Sequence, residues 1–567
     1  MCGPSDAINH VSPSGQEEHN CEVPKYESSV CFESHSISSS NLNTTDPCYT
    51  NGSADFFRSL NADYGIKFLI LTSLTSHWLK GFCRSQFQQS IRFLLQLWGV
   101  PGPQLDTYQS IADVPWSMKP LIAIVSDMFP ILGFKKIPYV VLATCLGLAG
   151  ICVAAFLPAE STPVEAPVMG LFCANLCWMT ADILVEGLFS RRMACQPKSG
   201  PNFVVYVTVG QHIACLISAV VSGLMLTKYI ESGPQLNLAL CLVPTTIYLY
   251  PIIANFGSEE KVVSGRATRL DLWNAQRAVV VLSIIIGCCS LLFALVGILL
   301  RGESPIAFSI VLLIVLNFLI WASFSPAIGK MAVFLAIVSV TNLSIAGSAQ
   351  YFYTDSEIQY PEGPHFEPMF FITVCGVVGA VVAIFAMIVF ALFKNAKYRL
   401  VYLCLITLNA ILSAPNSILF SRLNRIWGIS DHVFVATDTA LQTAIQTLFF
   451  APAMLLLSRV CPDQLESSMY AILASNTNFA ATISGPIGGF ICESFGITPD
   501  GSLNESVKFE NMWKANLLMA GLKLTPLAFL WLLPNCRMSD SLDSIRSTVS
   551  DKSPIKRLLF AYRANRR

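Results

Sequence analysis

From Tyr64 onward the chain alternates apolar stretches of about twenty residues with short charged links, and this rhythm limits the fold more than any other feature. In hydrocarbon every backbone N–H and C=O must be paired internally, which leaves helices or a closed barrel. The stretches are too long for barrel strands, so they read as membrane helices. Spans fall near 64–84, 106–129, 137–157, 168–190, 203–229 and 236–256, then 278–300 and 305–324, then 330–352, 367–393, 399–421, 435–458, 468–492 and 512–534, about fourteen in all. Lys67, His77 and Lys80 interrupt the first; an even count, with both termini on one side, retains it. With 53% hydrophobic and only 13% charged residues, 567 residues are too apolar for a soluble protein. The expected class is an all-α polytopic membrane protein.

The links carry a sidedness. Lys135 and Lys136, then Arg191, Arg192 and Lys198, then Lys261, Arg266, Arg269 and Arg277, then Lys330, Lys394, Lys397, Arg399 and Arg459 fall on alternate links. The opposite links are acidic or neutral, as in Glu160 to Glu165 and Asp355 to Glu367; Arg422 and Arg425 are exceptions. Basic loops stay in the cytoplasm, so both termini are expected there. Residues 1–60 are polar, without the apolar core of a secretory signal, and read as a disordered cytoplasmic tail. Residues 536–567 form a second cytoplasmic tail, where Ser544, Ser550 and Ser553 could be phosphorylated. Asn504-Glu505-Ser506 is the one sequon expected on the outer face.

One hairpin region carries a denser pattern. It reads Pro115-Trp116-Ser117-Met118-Lys119-Pro120-Leu121, then Ser126-Asp127, Pro130-Ile131, Gly133-Phe134-Lys135-Lys136 and Pro138-Tyr139. An acidic helix end, a glycine turn and paired cations resemble the signature between the second and third helices of the major facilitator superfamily. The longer string resembles the folate–biopterin transporter family, with Ala123 where that family commonly has glycine and lysines where it commonly has arginines. Further matching strings are Gln350-Tyr351-Phe352-Tyr353, Gly428-Ile429-Ser430-Asp431 and Cys461-Pro462-Asp463-Gln464-Leu465-Glu466. The resemblance implies a major facilitator fold: six-helix bundles over 61–256 and 330–535, and a basic link with about two inserted helices over 257–329. The inserted pair shows no polar constellation. The resemblance also implies a small-molecule substrate, a pterin or folate, with protons as the coupling partner in the plasma membrane. Some protozoan relatives suggest S-adenosylmethionine instead.

Several side chains are candidates for that work. Asn175, Asp182 and Glu186 share a helical face, and two carboxylates four residues apart repel when both are ionised, which favours a proton on one. Asn175 and Asp182 are expected substrate contacts, Asp182 for the donor edge of a pterin. Asp182 and Glu186, with His212, are also the expected proton-coupling groups, and Glu186 could equally pair with Arg191 or Arg192. Asp438, Gln442 and Gln446 recur every four residues in the second half and either bind a heterocycle or join helices. Trp116 and Tyr353 offer flat rings, or else anchor span ends; Lys119 offers a cation for a folate carboxylate, and Gln350 a hydrogen bond. Asp127 is expected to hold Lys135 and Lys136 as a cytoplasmic gate around the Gly133 turn. Ser475, Asn478 and Thr482 share a face ahead of Gly485-Pro486-Ile487-Gly488-Gly489, a run suited to close helix packing.

The sequence argues against other classes. No nucleophile–base pair or nucleotide loop points to an enzyme, and zero net charge gives no sign of a nucleic-acid partner. The 19 cysteines are scattered with no CxxC pair, so no metal or other cofactor is expected. A non-transporting receptor of the same fold is the alternative from another class.

Overall fold

The structure, a computed structural model, describes residues 53–195, 200–261, 266–300, 303–392, 395–460 and 466–538. Most of the N-terminal tail, Cys461–Leu465 and the C-terminal tail from residue 539 lie outside the described residues, with the expectations placed on them. Among the described residues all elements are helical, apart from two isolated bridges, Ile131 with Phe134 and Lys397 with Arg537.

A short amphipathic helix, α1 (Ser53–Tyr64), precedes α2 (66–97), whose middle, Ser73–Cys83, is wound as a π-helix. Then come α3 (102–128, bent through Val114–Ser117), α4 (Ile137–Phe156), α5 (Glu165–Cys195), α6 (Gly200–Lys228) and α7 (Gly233–Ile253). The inserted pair is α8 (Arg266–Leu299) and α9 (Glu303–Ser323). The second half has α10 (326–354, interrupted after Val340), α11 (369–392), α12 (Tyr398–Phe420), α13 (Asp431–Val460), α14 (Glu466–Ser494) and α15 (Ser506–Leu532).

Nine helices among the described residues are long and apolar enough to cross a membrane. The long helical runs outside that set, α2, α3, α10, α13 and α14, carry charges, a proline bend, a break, or a run of small and polar residues. Those helices also build the interior contacts described below. Outward-facing positions on the apolar helices are Val205 and Ile213, Ile314 and Phe318, Ile384 and Phe385, all exposed as lipid-facing side chains would be.

Small residues let the helices close up. A Cβ added to Gly150 on α4 would lie 2.3 Å from the Gly170 carbonyl on α5. Between halves, α3 packs on α14 and α10, while α6 packs on α11. The inserted α8 lies on both α3 and α14, and α9 on α10 and α14, so the pair covers the α3–α14 seam. This pair, read above as having no polar constellation, makes isolated polar contacts: Ser290 and Ser117 hydroxyls are 2.8 Å apart, and Asn476 Nδ2 donates to Asn317 Oδ1 at 3.0 Å.

The hairpin after α3 is a tight turn with Leu132 and Gly133 both at positive φ, closed by reciprocal Ile131–Phe134 backbone bonds. At the end of the molecule away from this hairpin, the halves meet through backbone. Gly102 N–H donates to the Pro499 carbonyl at 2.7 Å, and the Tyr351 hydroxyl to the Val100 carbonyl at 2.7 Å. A Cβ on Gly347 would fall 2.1 Å from the Gly102 carbonyl, and one on Gly489 would fall 2.4 Å from the Pro103 carbonyl. This far end is shut.

Candidate functional site

A long polar network starts on α2. Lys80, Arg84, Gln88, Arg92 and Gln96 recur every four residues, which lines them along one face. Each meets a partner from another helix. Lys80 Nζ lies 2.9 Å from Asp182 Oδ1 on α5, and Lys119 Nζ on α3 lies 2.7 Å from Oδ2 of the same carboxylate. Asp182 is only 3% exposed, so it is a buried anion held between two ammonium groups. The pairing of Asp182 with Glu186 expected from sequence is therefore incomplete. Glu186 does feel Asp182, but it feels Lys80 and Lys119 as well.

The next rung links three more of the expected residues. Arg84 donates to Asp113 Oδ1 at 2.6 Å and to Asn175 Oδ1 at 2.8 Å, and Trp116 Nε1 reaches that same oxygen at 3.0 Å. Lys119 and Arg84 stand 5.0 and 5.1 Å from the Trp116 ring centre, within cation–π range. Gln88 bonds Asp113 and receives Gln109. Farther along, Arg92 Nη2 lies 3.2 Å from Asp106 Oδ1. Gln96 bonds Thr354 and receives Gln350, both on α10.

A cavity of about 290 Å³ opens beside this ladder, between the halves. Its charged wall is Arg84, Arg92, Asp106 and Asp113; Trp116 and Asn478 complete its inner part. Asn478 donates to the Trp116 carbonyl across the seam at 3.1 Å. Two polar atoms on this wall, Arg92 Nε and Gln109 Oε1, are buried and meet no partner among the described residues.

Other expected site residues stand elsewhere. Asp438 accepts from Asn416 at 3.1 Å, and Gln442 donates to Leu412 and Ser413, all on α12. Gln446 lines a separate cavity of about 100 Å³ with Asn409 and Lys523. That stripe therefore faces the interior of the second half. Tyr353 is buried among Phe352, Phe366, Phe371 and Phe420, which occupies its ring in packing. His212 is exposed on α6 and bonds its own helix at the Thr208 carbonyl, away from Asp182.

The hairpin is also built differently from expectation. Asp127 is exposed, and no ion pair joins it to Lys135 or Lys136 among the described residues. The reason is that Glu259, past the end of α7, takes the hairpin backbone instead. Its carboxylate accepts the N–H groups of Lys135, Lys136 and Ile137 at 2.8, 2.9 and 3.0 Å, capping α4. Glu259→Ala is expected to cost about 1–2 kcal/mol of stability, as loss of a cap does. Asp127→Asn is expected to leave thermal unfolding and turnover near the parent values; a large loss of turnover would restore Asp127 as a gate.

At the far end, Asp355 follows α10 with its Oδ2 buried and unpartnered among the described residues. Burial, reinforced by the neighbouring Glu505 and Asp500 charges, pushes its carboxyl up to about 8, against a weaker opposing pull from Lys508. The folded chain thus holds a proton that the unfolded chain releases near 3.8. This contribution to stability is complete below about pH 4 and is lost as pH rises to about 8. Asp355→Asn should flatten the pH dependence of thermal unfolding across that window; an unchanged slope would refute it.

Comparison with known proteins fits this architecture. The BT1 family pattern matches residues 80–553. The protein named Probable folate-biopterin transporter 2 of Arabidopsis thaliana is 24% identical over 441 residues, covering 75% of this chain and 74% of that one. The Folate-biopterin transporter of Synechocystis is 23% identical over 449 residues, covering 78% and 77%. A POT family transporter solved with a thioalcohol-conjugated peptide superposes with a TM-score of 0.57 at 12% identity, covering 82% of this chain and 98% of that one, a likeness of fold alone. The major facilitator fold and these relatives mark a multi-pass membrane transporter and not an enzyme. With its pattern matched over most of its length, the chain belongs to the BT1 family.

Proposed function

We propose that the chain carries a pterin or folate across the plasma membrane by alternating access, with protons as the coupling ion. The observation that carries the reading is the cavity between the halves, whose wall pairs two guanidiniums with two carboxylates beside Trp116. A pterin presents a donor edge that suits Asp113 or Gln109 Oε1, unpartnered among the described residues, and the glutamate tail of a folate suits Arg84 or Arg92. These residues take over the substrate-binding roles first given to Asp182 and Lys119, which pair with each other in a cluster that also holds Lys80. Ligand pockets of about 300–1,000 Å³ are usual, so this cavity, at the lower edge, suits the pterin head. Lys80, Lys119, Asp182 and Glu186 form the buried charge cluster to which proton coupling is assigned. Basic links put the Lys135–Lys136 hairpin and both termini in the cytoplasm. The shut far end then faces outside, and the halves rock about the cavity.

The test uses purified protein in liposomes with labelled folate, biopterin and S-adenosylmethionine, with and without an inward proton gradient. Gradient-stimulated accumulation of folate or biopterin is expected. Accumulation of S-adenosylmethionine alone would move the substrate to a cation, and binding without accumulation would indicate a receptor.

A further inference from the structure

Asp106 occupies an unusual position on α3. It is 6% exposed, and its two oxygens serve different halves of the molecule. Oδ1 accepts Arg92 on α2 at 3.2 Å; Oδ2 accepts the backbone N–H of Gly347 on α10 at 2.8 Å. Gly347 belongs to the shut far-end seam, where its missing Cβ lets α10 lie against the Gly102 carbonyl. Arg92 lines the cavity, and its buried Nε donor has no partner among the described residues. One carboxylate therefore touches both the cavity wall, through Arg92, and the seam that closes the cavity.

We propose that Arg92 receives the anionic group of the substrate and that Asp106 passes this event to the far-end seam as a latch. A guanidinium has five donors in a fixed fork, and Arg92 spends one of them on Asp106. A carboxylate arriving from the cavity competes for the same fork and draws it away from Oδ1. Asp106 is then a buried anion without its cation, which penalises the closed seam that buries it, and opening the seam relieves the penalty by rehydrating the carboxylate. The seam loosens when an anion is loaded and re-forms when Arg92 returns. An uncharged pterin leaves the Arg92–Asp106 pair intact. This inference rests on the folate-class substrate proposed above.

A native cysteine reports on the seam. Cys492 on α14 is 1% exposed, and its thiol faces the Ser348 hydroxyl beside Gly347. Its modification by a membrane-impermeant maleimide, added from the far-end side and read by peptide mass spectrometry, measures opening. Without ligand, Asp106→Asn should label Cys492 about tenfold faster than the parent; equal rates in a correctly inserted variant would overturn the latch.

A second measurement keeps Asp106 intact, in case that variant does not fold. Folate should raise Cys492 labelling of the parent several-fold, biopterin should not, and Arg92→Gln should abolish the response to folate. A general structural role for Arg92 would not distinguish folate from biopterin. If liposomes accumulate folate yet folate leaves Cys492 labelling unchanged, the Arg92–Asp106 coupling is wrong. If folate is not accumulated, the functional reading fails instead, and the ligand-free Asp106→Asn comparison alone decides the latch.

Discussion

Asp182→Asn should abolish accumulation and lower the unfolding temperature together. The substitution removes the only carboxylate within ion-pair distance of both Lys80 and Lys119, among the described residues. Breaking a buried pair from one side typically costs about 3–5 kcal/mol, because a charge is left without compensation. Here two ammonium groups lose their partner at once. Removing one cation as well should return part of that loss, so Asp182→Asn/Lys119→Met should be more stable than the sum of the single changes predicts. Thermal unfolding in detergent and uptake in liposomes check this jointly. If Asp182→Asn unfolds at the parent temperature and keeps counterflow while losing accumulation, Asp182 works by exchanging a proton and its structural share is small.

Gly347→Ala is expected to reduce uptake by more than tenfold with the protein still inserted. The added methyl would sit 2.1 Å from the Gly102 carbonyl, which is backbone and has no rotamer to give way, and 3.0 Å from Asp106 Oδ2. The far-end seam then cannot close, and a carrier that cannot close one side cannot turn over. Gly521→Ala is the control, since nothing lies within 4 Å of its added Cβ. Parent-level uptake by Gly347→Ala would show that the seam is not part of the cycle.

The helical membrane fold was legible because hydropathy is a local property, read one segment at a time. The two apolar helices near 278–300 and 305–324 were legible for the same reason. The site was only partly legible. Asn175, Asp182, Trp116 and Lys119 do converge, and each stands out as a polar group in an apolar span. Their main partners are less legible, because Lys80 reads as an interruption and a first span ending at 84 puts Arg92 and Gln96 outside the membrane, although the four-residue recurrence from Lys80 to Gln96 is visible in the sequence. A charge reads as a cost until its counter-charge is known, and Asp106 and Asp113 lie on a different helix. Glu259 was invisible for a similar reason: it meets Lys135 from 124 residues away. Conversely, the regular spacing of Asp438, Gln442 and Gln446 was real, but spacing shows only that residues share a face and does not say what the face meets.

The two flanks of the carrier are not equivalent. On one, α8 and α9 lie over the line where α3 meets α14. On the other, α6 and α11 meet with no inserted helix across them, through Thr373 donating to the Ala219 carbonyl at 2.8 Å and Met369 N–H to Thr227 at 2.9 Å. Because α8 grips both halves, through Ser117 and Leu121 on one side and Phe479 on the other, the rocking proposed above would shear at least one of its faces. Friction would then concentrate on a single edge, and the bare edge would give bilayer composition the shorter route to the speed of the cycle.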